Sequence, residues 1–174
     1  MTGPAPPWSG QAMLLVYFSI ALQLATSAYA LARGGAPERI VAVLMLAAYA
    51  TSVLVQSQFP VRFHGVELGI FIVDCAMLAA LLAVALRAER FWPIWMTGLQ
   101  AVAVAAHLAK MVNPLVIPWA YAAMLAFWSY PMMALLAAGT WRHRRRMAAY
   151  GADRSWSSLS PQSPDAARPP WPTR

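Results

Sequence analysis

Five apolar stretches, joined by connectors too short to hold a domain, limit what this chain can become. They span residues 12–32, 40–59, 66–86, 93–112 and 115–141, and the connectors are 33–39, 60–65, 87–92 and 113–114. Crossing about 30 Å of hydrocarbon takes roughly 20 residues of helix, and each stretch is about that long or longer. Only 11% of the 174 residues are charged and 60% are hydrophobic, whereas a soluble domain averages about 25% charged residues. There are too few polar side chains to cover a globular surface, so the excess apolar side chains must face lipid. The fold class expected is therefore all-α: a polytopic transmembrane helical bundle of five spans. Short connectors force consecutive helices to run antiparallel and side by side.

The cations set the orientation. With the N-terminus outside, the cytoplasmic face holds Arg33, Arg39, Arg87, Arg90 and the cluster Arg142, Arg144, Arg145 and Arg146, while the external face holds Arg62 and Lys110. The reverse arrangement would oppose the positive-inside bias, so N-out/C-in is expected. Residues 1–11 then form a short external N-terminus. The first stretch has no basic flank, since Met1–Gly10 carries no charged side chain, and it is long for a signal-peptide core, so it reads as a retained helix. Trp8, Trp92, Trp95, Trp119 and Trp141 fall near the ends of the stretches, where indoles anchor at the headgroup level. Pro118 and Pro131 in the long fifth stretch predict a tilt or kink, with Ser129 placed to bond backbone that Pro131 frees.

Beyond Trp141 the character changes. Residues 142–174 are rich in Arg, Ser and Pro and read as a disordered cytoplasmic tail, because they bury too little apolar surface to offset ordering entropy. The Arg142–Arg146 cluster, with His143 inside it, is placed to bind anionic lipid headgroups. The run Arg168-Pro169-Pro170-Trp171-Pro172 has the composition of a polyproline ligand for a protein partner. A net charge of +7 and a pI near 10.3 could suggest nucleic acid, but cations massed directly after an apolar span fit a membrane anchor instead, so no nucleic-acid partner is expected.

One acid lies deep in the third stretch. Asp74 would cost roughly 2.5–3.5 kcal/mol or more at the centre of a spanning helix, so it must be paired, protonated or used. Glu67 lies seven residues earlier, on the same helical face and about 10 Å away along the axis. The fourth stretch has its own polar face, with Gln100, His107 and Lys110. Matching depths across the 87–92 hairpin sets Lys110 opposite Glu67 and sets Asp74 between Gln100 and His107. These five residues are the candidate intramembrane polar site. Architecturally they would fix which helix faces meet; functionally, a desolvated Asp–His pair could exchange a proton near neutrality. Small-residue ridges (Ala101, Ala105 and Ala109 on the fourth stretch; Ala76, Ala79, Ala80 and Ala83 on the third) are expected to let the same two backbones approach.

Other chemistry finds little support. Cys75 is the single cysteine, which rules out an intramolecular disulfide and a cysteine metal cluster. His64 and Glu67 form His-x-x-Glu, and His107 could join them around a metal or a haem, yet no paired-histidine spacing backs either, so no metal and no cofactor are expected. Phosphate loops, His-Glu-x-x-His and Gly-x-Ser-x-Gly are missing from the sequence, and the chain does not read as an enzyme. The arginine and alanine bias suggests a GC-rich bacterial genome, hence the bacterial inner membrane. The expectation is a non-catalytic accessory or interaction protein, a subunit or assembly partner with a protein partner or a second copy of itself. The alternative is a proton- or small-ion-coupled carrier component using the Asp74/His107 site.

Overall fold

The computed structural model describes residues 9–56, 66–113, 115–151, 153, 155 and 156. These form α1 (Ser9–Arg33), α2 (Ala36–Val55), α3 (Leu68–Arg87), α4 (Trp92–Val112), α5 (Pro118–Phe127) and α6 (Ser129–Tyr150), and the described residues contain no named strand. Three single helices are long and apolar enough to cross a membrane, and α5 and α6 together supply a fourth such stretch, Ala120–Tyr150. The chain is thus a helical, multi-pass type of membrane protein. α4 has the length, 21 residues, but Gln100, His107 and Lys110 lower its hydropathy. All three turn inward and are buried, so the face left outside is apolar.

Local chemistry places the helix ends. The expected start of the second helix at Ile40 is four residues late, because Pro37 in the first turn presets φ for a helix and Glu38 complements its positive end. Only Gly34 and Gly35 separate α1 from α2. A Cβ on Gly34 would stand 2.5 Å from the Ala30 carbonyl oxygen and 2.6 Å from the Glu38 Cβ, so this reversal excludes any side chain there. The fifth stretch is broken at Trp128. Pro131 has no N–H to donate, and its ring crowds the carbonyl of Phe127 four residues back; Ser129 Oγ donates to the Ala126 carbonyl at 2.6 Å. Helix α6 then runs past the apolar boundary at Trp141 to Tyr150 and stops at Gly151, whose φ of 71° is the left-handed cap. The first nine residues of the expected tail are therefore helical. Alanine, methionine and arginine are good helix formers, and hydropathy alone does not sense that. Residues 157–174 lie outside the described set.

The helices close into a ring: α1 packs on α2 and α6, α2 on α3, α3 most extensively on α4, and α4 on α5 and α6. Alternating direction gathers Arg33, Glu38, Arg87, Arg90 and the end of α6 at one pole, here the basic pole, with Gln56, Glu67 and Lys110 at the other. The half toward the basic pole is filled by Val41, Met45, Leu81, Val84, Trp92, Met96 and Leu136. Trp92 is only 9% exposed, and its indole lies against Gly139 of α6; it is a core residue rather than a belt residue. Trp95 and Trp141 do face outward.

The alanine ridges are also reassigned. Ala101, Ala105 and Ala109 are exposed, as are Ala76, Ala79 and Ala83. The α3–α4 seam is built instead from Met77 and Leu81 with Met96, Gln100, Ala103 and His107. Once Gln100 and His107 must face Asp74, helical phase turns residues 101, 105 and 109 away from it.

Candidate functional site

Asp74 is held from α4 by both of its carboxylate oxygens. The Gln100 side-chain amide donates to Oδ1 at 3.0 Å and also reaches the Asp74 main-chain carbonyl at 3.2 Å. His107 Nε2 lies 3.0 Å from Oδ2. On the far side of the imidazole, the Tyr121 hydroxyl of α5 stands 2.5 Å from Nδ1. With Nε2 bonded to the Asp74 carboxylate and Nδ1 to the Tyr121 hydroxyl, both ring nitrogens of His107 are engaged. Phe71 and Tyr121 wedge its ring, with centroids 5.5 and 5.4 Å away.

Glu67 immediately precedes α3, and it and Lys110 are both buried. Lys110 Nζ donates to the Val116 carbonyl and lies 6.0 Å from the centre of the Tyr121 ring. So the structure joins Asp74, Gln100 and His107 directly, and sets Glu67 and Lys110 around Tyr121 one layer further out. The sequence reading did not include Tyr121. Its one signal was a polar hydroxyl in an apolar run, but the connector before Pro118 leaves the helical phase of α5 open.

A cavity of about 570 Å³ opens beside this group in the half of the bundle away from the basic pole. Asp74 and Gln100 form part of its wall, with Gln23 of α1, Tyr49, Ser52 and Gln56 of α2, and Ser129 and Tyr130 beside the Trp128 break. Met45, Met77, Met132 and Met133 supply the apolar wall. The Asp74 side chain retains 20% exposure, whereas His107 has none. Asp74 is therefore the port through which the buried chain meets the cavity. Among the described residues no three His, Cys, Asp or Glu side chains come together in a metal-holding group, and His64 lies outside them.

A second polar centre lies at the basic pole. Arg90, in the α3–α4 connector, bonds Glu38 at 2.9 Å and Asp153 at 2.8 Å. Asp153 also bonds His143 at 2.6 Å and Arg146 at 2.9 Å. Burial alone would raise the Asp153 carboxyl, but hydrogen bonds from His143 and Arg146 and the charges of Arg90 and Arg146 outweigh it, so its pKa lies below the ordinary 3.8. The chain after α6 is thereby tied to the bundle, and Trp156 forms a bridge with Ala88. Of the expected headgroup cluster, Arg146 is committed inward and Arg145 covers the Trp141 ring at 4.9 Å. Arg142 and Arg144 are exposed.

No protein-family model matches the chain, and no curated protein or solved structure is significantly similar to it.

Proposed function

We propose that this chain is a proton- or small-ion-coupled carrier component, with Asp74 as its protonatable port and His107–Tyr121 as the link from that port to the rest of the bundle. In this reading α4 is the fourth of five spans. The N-terminus is external, the basic pole faces the cytoplasm, and the host is a bacterial inner membrane. The observation that carries the proposal is that Asp74, the one charged side chain among the described residues of the cavity wall, is also the end of a buried hydrogen-bond chain. A purely architectural Asp–Gln–His contact has no need of an adjoining space of this size.

Protonation at Asp74 has a structural consequence. A proton taken up by the Asp74 carboxylate removes the negative charge to which His107 Nε2–H donates, and so weakens that hydrogen bond and, through the ring, the one between Nδ1 and the Tyr121 hydroxyl. Tyr121 sits on α5, just before the Trp128 break, so a change of charge in the cavity is felt across two helices.

Infrared difference spectroscopy on the purified protein, between alkaline and acid pH, tests this. A protonated-carboxyl band should appear with acidification and vanish in Asp74→Asn; identical spectra from the two proteins refute the proton-linked role. The accessory-subunit reading is supported by the outward-facing Ala101, Ala105 and Ala109, which would let another helix approach α4 closely. Mild-detergent purification with mass spectrometry of co-eluting proteins tests it: a stoichiometric partner favours it, and an isolated homo-oligomer favours the carrier.

A further inference from the structure

The cavity's composition also bears on what it carries. Its volume, about 570 Å³, is in the range of pockets that enclose a drug-sized organic molecule, roughly 300–1,000 Å³. A bare metal ion needs a tight shell of oxygens, six to eight for calcium, and a space this large with methionine walls does not supply one. Among the described residues no Lys, Arg or His lies on the wall and Asp74 is its one charged residue, so the charge these residues present is negative and disfavours an organic anion. Gln100 and His107 occupy one site on each oxygen, and an ionised carboxylate offers about four.

Resting on the carrier reading above, we infer that the cavity binds an organic ammonium ion with an apolar or aromatic body, its N–H groups donating to Asp74. The remaining wall suits such a body. Tyr49 and Tyr130 present aromatic rings, and Met77, Met132 and Met133 present polarisable thioethers that adapt to different shapes. A proton and the ammonium ion compete for the same carboxylate, so binding weakens as Asp74 is protonated. The groups set around that carboxylate are Gln100 and His107 of α4, Tyr121 of α5, Glu67 at the start of α3, Lys110, and the cavity residues Gln23, Tyr49 and Tyr130.

The probe is phenethylammonium, titrated calorimetrically into the full chain in detergent, with the neutral isostere 2-phenylethanol and the anion 3-phenylpropionate alongside. The expected order is ammonium tightest, alcohol weaker, carboxylate undetectable. Asp74→Asn should weaken the ammonium about ten- to a hundredfold, the value of one charge-assisted hydrogen bond of roughly 1.5–3 kcal/mol, and leave the alcohol unchanged. Ser52→Trp, which fills the cavity from α2 and leaves Asp74 intact, should abolish binding of both, and it guards against an Asp74 variant that fails to fold. Equal affinity for ammonium and alcohol overturns the inference in favour of a neutral amphiphile or lipid tail, and so does full ammonium affinity in Asp74→Asn or in Ser52→Trp. If the Asp74 infrared band is present and no ammonium binds, this inference fails and the carrier reading survives. If ammonium binds without a titrating band, the proton-linked role fails instead.

Discussion

Replacing Arg90 by methionine should be among the most damaging single changes in the chain. The Arg90 and Glu38 side chains are 2% and 0% exposed and meet at 2.9 Å. Removing one partner of a buried ion pair strands the other, at a cost of about 3–5 kcal/mol. Asp153 also loses Arg90, but it keeps His143 and Arg146, so Glu38 is the group left without its cation. Glu38 Oε2 already lacks a hydrogen-bond partner, which limits how the carboxylate can rearrange. The lower end, about 3 kcal/mol, is the expected loss, or roughly a hundredfold in the folding constant. In Glu38→Met/Arg90→Met no charge is stranded and the volume is kept, so most of the loss should return; apolar replacement of a whole buried pair is often neutral or stabilising. Reversible unfolding of the solubilised protein in increasing dodecyl sulfate, followed by circular dichroism, measures all three. Arg144→Met, at an exposed position, is the control and should stay within about 0.5 kcal/mol of the parent. The reasoning is refuted if Arg90→Met matches the parent or if the double variant is less stable than the single.

Gly139→Val would place a Cβ 2.9 Å from the Trp92 indole and should cost about 1–3 kcal/mol in the same assay, as overpacking does. Tyr121→Phe leaves His107 Nδ1 buried without its partner, for an expected loss of about 1–3 kcal/mol. Pro131→Ala restores a donor for the Phe127 carbonyl; helicity should rise while phenethylammonium affinity falls, because the Trp128 break shapes one wall of the cavity. The Asp153 tether has a defined pH window. Its carboxyl is held below the ordinary value of 3.8, so its contribution is complete above that value and is lost as the pH falls through the lowered one. Trp156 emission should therefore hold steady through neutral and mildly acidic pH and shift only in strong acid, and in Asp153→Asn it should be shifted already at neutral pH.

Much of this architecture was legible because two physical rules leave little choice. Lipid demands long apolar segments, and a short hairpin fixes the depths of its two helices. That is why Asp74, Gln100 and His107 could be placed together before any coordinates. Helix boundaries were less visible: hydropathy changes at Ile40 and Trp141, but Pro37 begins α2 earlier and good helix formers carry α6 to Tyr150. Rotation was misread for the alanine ridges, since a small-residue stripe serves a lipid-facing or partner-facing surface as readily as an internal seam. Tyr121 and the Glu38–Arg90–Asp153 network join residues far apart in sequence across elements whose phase no local pattern sets. The cavity could not be read at all, because a hollow depends on side chains from six helices together.

Water reaching Asp74 from the side opposite the basic pole is the claim on which the rest depends. A single cysteine at Ser52, in a Cys75→Ala background, should react in intact cells with a membrane-impermeant thiol reagent added outside, and phenethylammonium should protect it. No reaction, or reaction only after the cytoplasmic face is opened, would mean that the cavity is dry or faces the other way, and Asp74 would return to a structural role.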